Sequence, residues 1–202
     1  MSTNLSAFGF NHPIKSELER LLSIQSDLRR TVSALQMLAP PSPLMRESGS
    51  IGMALYTQAL VSYFRCFASG RRKGLSQDIF SSKPVFLAIF TDVKSIRDKH
   101  VAHPVSEHEH CNILVAASDA NSQAVGLGVR YWFFAGGDDK HMKQFLQLAK
   151  FTDKHVSSEV RAKGDELSKE ILGPRATWRS AQRDFYRAVS EEAVYGPIRN
   201  ED

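Results

Sequence analysis

Residues 84–104 read PVFLAIFTDVKSIRDKHVAHP, and the phase of their apolar residues decides the fold. On a helical wheel referenced to Phe86, the residues Ile89, Phe90 and Val93 fall within about 60° of it, the stripe of a helix buried on one side. Arg97 and His100 occupy the same sector, and His103 sits beside Ile96 at its edge. Pro104 stops the run, because the residue before a proline is pushed out of the α region. The segment therefore reads as a helix starting near Pro84 whose buried face turns polar at its end. Two readings of that end are open. Basic residues near a helix C-terminus are favoured by the macrodipole by about 0.3–1 kcal/mol, which makes the ending a cap. A guanidinium on an apolar stripe costs several kcal/mol unless it meets a groove, an anion or a partner, which makes the ending a charged seam.

Working outward, the same periodicity recurs on both sides. Upstream, Ile14, Leu18, Leu21, Leu22, Leu28, Val32 and Leu35 predict a long amphipathic helix over 13–38, with Pro13 suited to its first turn. The proline-rich stretch 39–50 is a loop. Ile51, Ala54, Leu55, Leu60, Val61, Phe64 and Phe67 predict a second helix that Gly70 stops. Downstream the period changes. NILVAAS (112–118) and VGLGVRYWFFA (125–135) are rich in β-branched and aromatic residues around a turn-like DANSQA, which predicts a β-hairpin. Met142, Phe145, Leu146, Ala149, Val156 and Val160 restore helical spacing in a long fourth helix, expected to continue with breaks to Leu172. Gly173 and Pro174 end it, and a last helix is expected over about 176–194. The expected fold is mainly α: an antiparallel helical bundle over 1–172, with a small hairpin inserted after the third helix (about 112–135). Residues 173–202 form a C-terminal helix and tail packed on the same domain.

Composition narrows the function classes. The chain has 202 residues, 42% hydrophobic and 24% charged, proportions of an ordinary globular domain. Its longest apolar runs, 85–90 and 131–135, fall far short of the roughly 20 residues of a membrane span. MSTNLSAFGFNHP lacks the charged-then-apolar order of a secretion signal, so a cytoplasmic protein without membrane contact is expected. Cys66 and Cys111 lie far apart with no CxxC spacing and read as free thiols. A net charge of +4 and a pI near 9.1 lean toward an anionic partner.

The stretch RDKHVAH, 97–103, fits the signature of the HEPN superfamily: an arginine, commonly followed by a polar residue, then a histidine after four to six positions. Here Arg97 and His103 enclose five residues, and Asp98 is the polar neighbour. The sequence resembles a HEPN protein of the abortive-infection type over about 14–165, the helix ALYTQALVSYFRCFASGRR (54–72) preceding the motif helix. The resemblance implies a HEPN-like bundle and a metal-independent endoribonuclease without cofactor. It acts as a homodimer whose motif helices face one another across a cleft, as the effector of a toxin–antitoxin or phage-defence module with a cognate antitoxin. RNA brings its own nucleophile, the 2'-hydroxyl. The protein must then supply a proton-transfer group titrating near neutrality and a fixed cation for the charge growing on phosphorus. His103 and Arg97 suit these roles, the planar guanidinium being able to take two phosphate oxygens. Asp98 is expected to orient either one. On an ideal helix Arg97 and His103 are about 9 Å apart along the axis and about 120° apart around it, whereas His100 shares the face of Arg97. His100 therefore stays a supporting or substitute group.

Other clusters have two readings each. His100, His103, His108, His110 and Cys111 are soft ligands close in sequence, but without the paired spacing of a zinc site, so no metal is expected. Arg175, Arg179, Arg183 and Arg187 recur every four residues among Trp178, Phe185 and Tyr186. They read either as a ladder tracking an RNA backbone or as a solvated face balanced by Asp184, Glu191 and Glu192. Arg71, Arg72 and Lys73 form a second basic patch, and Lys99 adds a cation beside the motif. The glycines at 126, 128, 136 and 137 make no phosphate-cradling loop. A non-catalytic HEPN-like module binding RNA, a nucleotide or a protein partner is the competing class, and a zinc-stabilised interaction module a third.

Overall fold

The computed structural model describes residues 10–38, 49–70, 72–100, 110–117, 124–132 and 138–188. Among them the chain is mainly helical, with five α-helices and one two-stranded antiparallel sheet. The helices are α1 (Pro13–Leu38), α2 (Gly49–Arg65), α3 (Pro84–His100), α4 (Asp139–Leu172) and α5 (Trp178–Ala188). A short 3-10 helix (Gln77–Phe80) precedes α3, and the strands β1 (His110–Ala117) and β2 (Ala124–Trp132) follow it. No helix of the described residues is long and apolar enough to cross a membrane. The chain divides into two compact units, Met1–Gln25 with Lys154–Asp202, and Ser26–Asp153. The division falls inside α1 and α4.

The unit formed by 26–153 is built around an aromatic core. Tyr63 on α2 packs edge-on against Phe64 (5.4 Å between ring centroids) and Phe145 of α4 (5.3 Å), and lies tilted 5.4 Å from Phe67. Phe90 of α3 closes the cluster against Phe67 at 4.9 Å, and Phe80 closes it from the 3-10 helix. Such offset and edge-on pairs add about 0.5–1.5 kcal/mol each to the burial itself. The Tyr63 hydroxyl lies 3.0 Å from the Thr152 hydroxyl, which donates to the Leu148 carbonyl, so Tyr63 is the donor between them. The stripe read from the sequence of α3 is the buried one: Ile89, Phe90 and Val93 are inside, and Phe86 stacks on Phe151 at 4.4 Å.

Three element ends differ from the sequence expectation. Helix α2 stops at Arg65 instead of Gly70, because Cys66 and Phe67 donate three residues back to Tyr63 and Phe64, tightening the last turn and aiming Phe67 into the core. Helix α4 runs unbroken to Leu172. Gly164 lies within it because any side chain there would run into the Trp178 indole. Gly173, at φ 104°, then ends the helix in the left-handed region that glycine enters at no steric cost. Helix α5 begins at Trp178, two residues late, because the Thr177 hydroxyl caps it by accepting from the Ser180 amide at 3.2 Å. Residues beyond 188 lie outside the described residues.

In the unit formed by 1–25 and 154–202, α1 and α4 run antiparallel. Gln25 donates to Ser157 at 2.8 Å at one end, and His12 meets Glu170 at 3.2 Å at the other. Helix α5 packs on the end of α4 through Trp178, whose amide donates to Asp165 at 2.7 Å.

Replacing Tyr63 by alanine is expected to cost about 4 kcal/mol in urea unfolding, since an aromatic hub is deleted. Phenylalanine is expected to cost about 1 kcal/mol, because Thr152 keeps its bond to Leu148 and no buried donor is stranded.

Candidate active site

The motif helix places Arg97 one turn beyond Val93, where the aromatic core ends. Its guanidinium carbon stands 6.0 Å from the centroid of the Phe64 ring, within reach of a cation–π contact, and Nη1 donates to Asp98 at 2.7 Å. The side chain is 42% exposed, so the cation is neither buried nor unpartnered and the cost expected of a charge on an apolar stripe is avoided. Asp98 also accepts from Lys94 at 3.1 Å. The hydrogen bond from Arg97, then that from Lys94, holds its carboxyl below the usual carboxylate range, so it braces Arg97 as an anion. Asp98 therefore orients Arg97. His100 is the last residue of α3, but its side chain and the whole of His103 lie outside the described residues, as do Arg71, His108 and the side chains of His110 and Cys111. Among the described residues no three histidine, cysteine or acidic side chains are grouped to hold a metal ion.

The proposed RNA-binding cations divide by environment. Lys73, Lys99, Arg175, Arg179 and Arg183 are exposed. Arg72 is turned inward: it donates to Asp27, which is 3% exposed, at 2.9 Å and to the Arg65 carbonyl at 3.1 Å. Arg30 and Arg65 reach the same carboxylate only at 3.9 Å. Arg72 thus ties the chain after α2 to α1. The four-residue ladder loses its first member, since Arg175 precedes α5. Arg183 lies 3.4 Å from Asp184, and Trp178 between the arginines faces α4. An open groove of about 540 Å³ runs beside that indole, lined by Phe10, Leu167, Ile171 and Phe185. Cys66 is a free, buried thiol pushed up to about 12, chiefly by burial and then by Asp27, and is inert.

One titratable pair was not read from the sequence. Tyr56 of α2 and His141 of α4 meet at 2.7 Å between Oη and Nε2. Passing from Phe86 to Asp92 along α3 moves from Phe151 to His141 along α4, since Asp92 acts electrostatically on the imidazole. The helices therefore run antiparallel, with the start of α4 beside the C-terminal half of α3. Asp138 caps α4 by accepting from the His141 amide at 2.7 Å. Burial lowers the imidazole below its ordinary value against the fields of Asp138 and Asp92, and burial raises the Tyr56 phenol. A neutral imidazole accepting from Tyr56 satisfies both groups. Asp138, three residues before His141 at the head of a helix, was the available signal; the partner on α2 had none.

Family models, curated proteins and solved structures give no match to this chain. The site rests on its own geometry.

Two outcomes are expected. Arg72→Ala leaves a buried carboxylate with only distant partners and costs about 2 kcal/mol in urea unfolding. His141 binds its proton less readily folded than unfolded, so stability is lost as pH falls below 6.5, the ordinary imidazole value. Thermal unfolding between about pH 7 and pH 5 should show this loss, and His141→Gln should reduce it.

Proposed function

We propose that the chain is a metal-independent endoribonuclease of the HEPN type, cleaving RNA through its own 2'-hydroxyl at a site completed by a second protomer. The observation that carries this reading is Arg97: a planar cation at the end of a buried stripe, steadied by Phe64 and Asp98, one turn before the end of α3. In the reaction the 2'-oxygen attacks phosphorus while His103 takes its proton. The bond to the 5'-oxygen breaks and that oxygen is protonated, leaving a 2',3'-cyclic phosphate and a 5'-hydroxyl. Arg97 offsets the charge on the non-bridging oxygens, and guanidinium suits this because its donors are fixed in one plane. The about 120° between Arg97 and His103 on an ideal helix is the reason the partner protomer is needed, with His100 the substitute on the face of Arg97.

One observation favours the second reading, a HEPN-like module that binds without turnover. Asp98 already holds Nη1 of Arg97 at 2.7 Å, and a phosphate has to displace or share that contact.

RNA cleavage by the wild type, Arg97→Ala and His103→Ala in EDTA separates the two. Cleavage leaving cyclic phosphate ends and reduced at least about 100-fold in both variants is the expected result. RNA binding without cleavage by the wild type establishes the binding module, and equal cleavage by all three proteins sinks the nuclease.

A further inference from the structure

The β1–β2 hairpin pairs Ile113 with Val129 and Val115 with Leu127. Residues directly paired in an antiparallel ribbon share a face, as do alternate residues along a strand, so these four side chains form one surface. They are 73%, 57%, 61% and 78% exposed respectively, which leaves no described element covering them. The opposite face is of different character, with Asn112 paired to Arg130 and Ala116 to Gly126. Gly126 and Gly128 have open space where a side chain would stand. A two-stranded ribbon is marginal in water by itself, and here its four aliphatic side chains face solvent instead of a core.

We propose that this face is a self-association surface, on which Ile113, Val115, Leu127 and Val129 pack face to face against the same four residues of a second copy. Charge argues for that occupant. The surface carries no ionisable group in a chain of net charge +4, so a nucleic-acid phosphate finds no cation on it. Two copies meeting there keep their like charges out of the contact. Shape agrees: a two-fold axis through the face makes it self-complementary, and aliphatic side chains of two ribbons interdigitate at the spacing of about 10 Å usual for stacked sheets. Area is sufficient too, because four largely exposed aliphatic side chains on each copy together approach the roughly 1,000 Å² that a specific interface needs. The inference stands apart from the nuclease reading, and its readout is association, not cleavage.

Sedimentation of the full-length chain over a concentration series tests it, with circular dichroism to confirm that the helices persist. The wild type is expected to dimerise. Leu127→Lys should weaken the dimer at least about tenfold, as a charge placed in an apolar contact does. The double variant Val115→Thr/Leu127→Thr should also weaken it while keeping strand propensity and adding no charge. Leu114→Lys, which places the same charge on the opposite face, should dimerise like the wild type. A wild type that stays monomeric overturns the proposal. So does a dimer unaffected by the threonine pair, or one weakened as much by Leu114→Lys as by Leu127→Lys.

Discussion

The contact on which residues 26–153 depend is the seating of the Tyr63 ring between α2 and α4, 5.3 Å from Phe145 and tied through its hydroxyl to Thr152. Phe64 and Phe67, its neighbours on α2, reach Phe90 of α3, so one ring system orients three helices at once. Close-packed rings resist small displacements, because side chains at interior density have nowhere to move without opening voids. The rigidity reaches the candidate site directly. Phe64 is at once a wall of the core and the surface on which the Arg97 guanidinium rests.

Two arginines of this unit have opposite fates, and burial is the reason. Arg72 meets a carboxylate shielded from water, where the ion pair is costly to break and serves to hold the turn after α2. Arg97 meets Asp98 at a surface where both side chains are about two-fifths exposed, and such a pair is worth little by itself. The Arg97 pair orients without locking. That is the property wanted of a cation that must engage a phosphate, and it separates a positioned surface arginine from a structural one of the same residue type.

Much of the fold was legible before any coordinates. The apolar phase of PVFLAIFTDVKSI named the buried side of α3, and β-branched enrichment found the hairpin, because both signals are local. Element ends were less legible. Where α2 stops depends on Phe67 turning into a core made largely from other segments, and α4 passes through Gly164 unbroken because Trp178, fourteen residues later, occupies the space a side chain would need. The site was legible in part. Arg97 and its brace Asp98 are adjacent in sequence, whereas Tyr56 and His141 are joined only by folding.

The amino-acid sequence by itself determined the helical class, the inserted hairpin and the candidate residues Arg97, Asp98, His100 and His103, since periodicity and spacing are properties of neighbouring positions. Only the tertiary structure decided that Arg72 points inward to Asp27, that Trp178 faces α4, and that one face of the hairpin stands uncovered. Side-chain direction at these places depends on which distant segment lies opposite, and no local pattern carries that information.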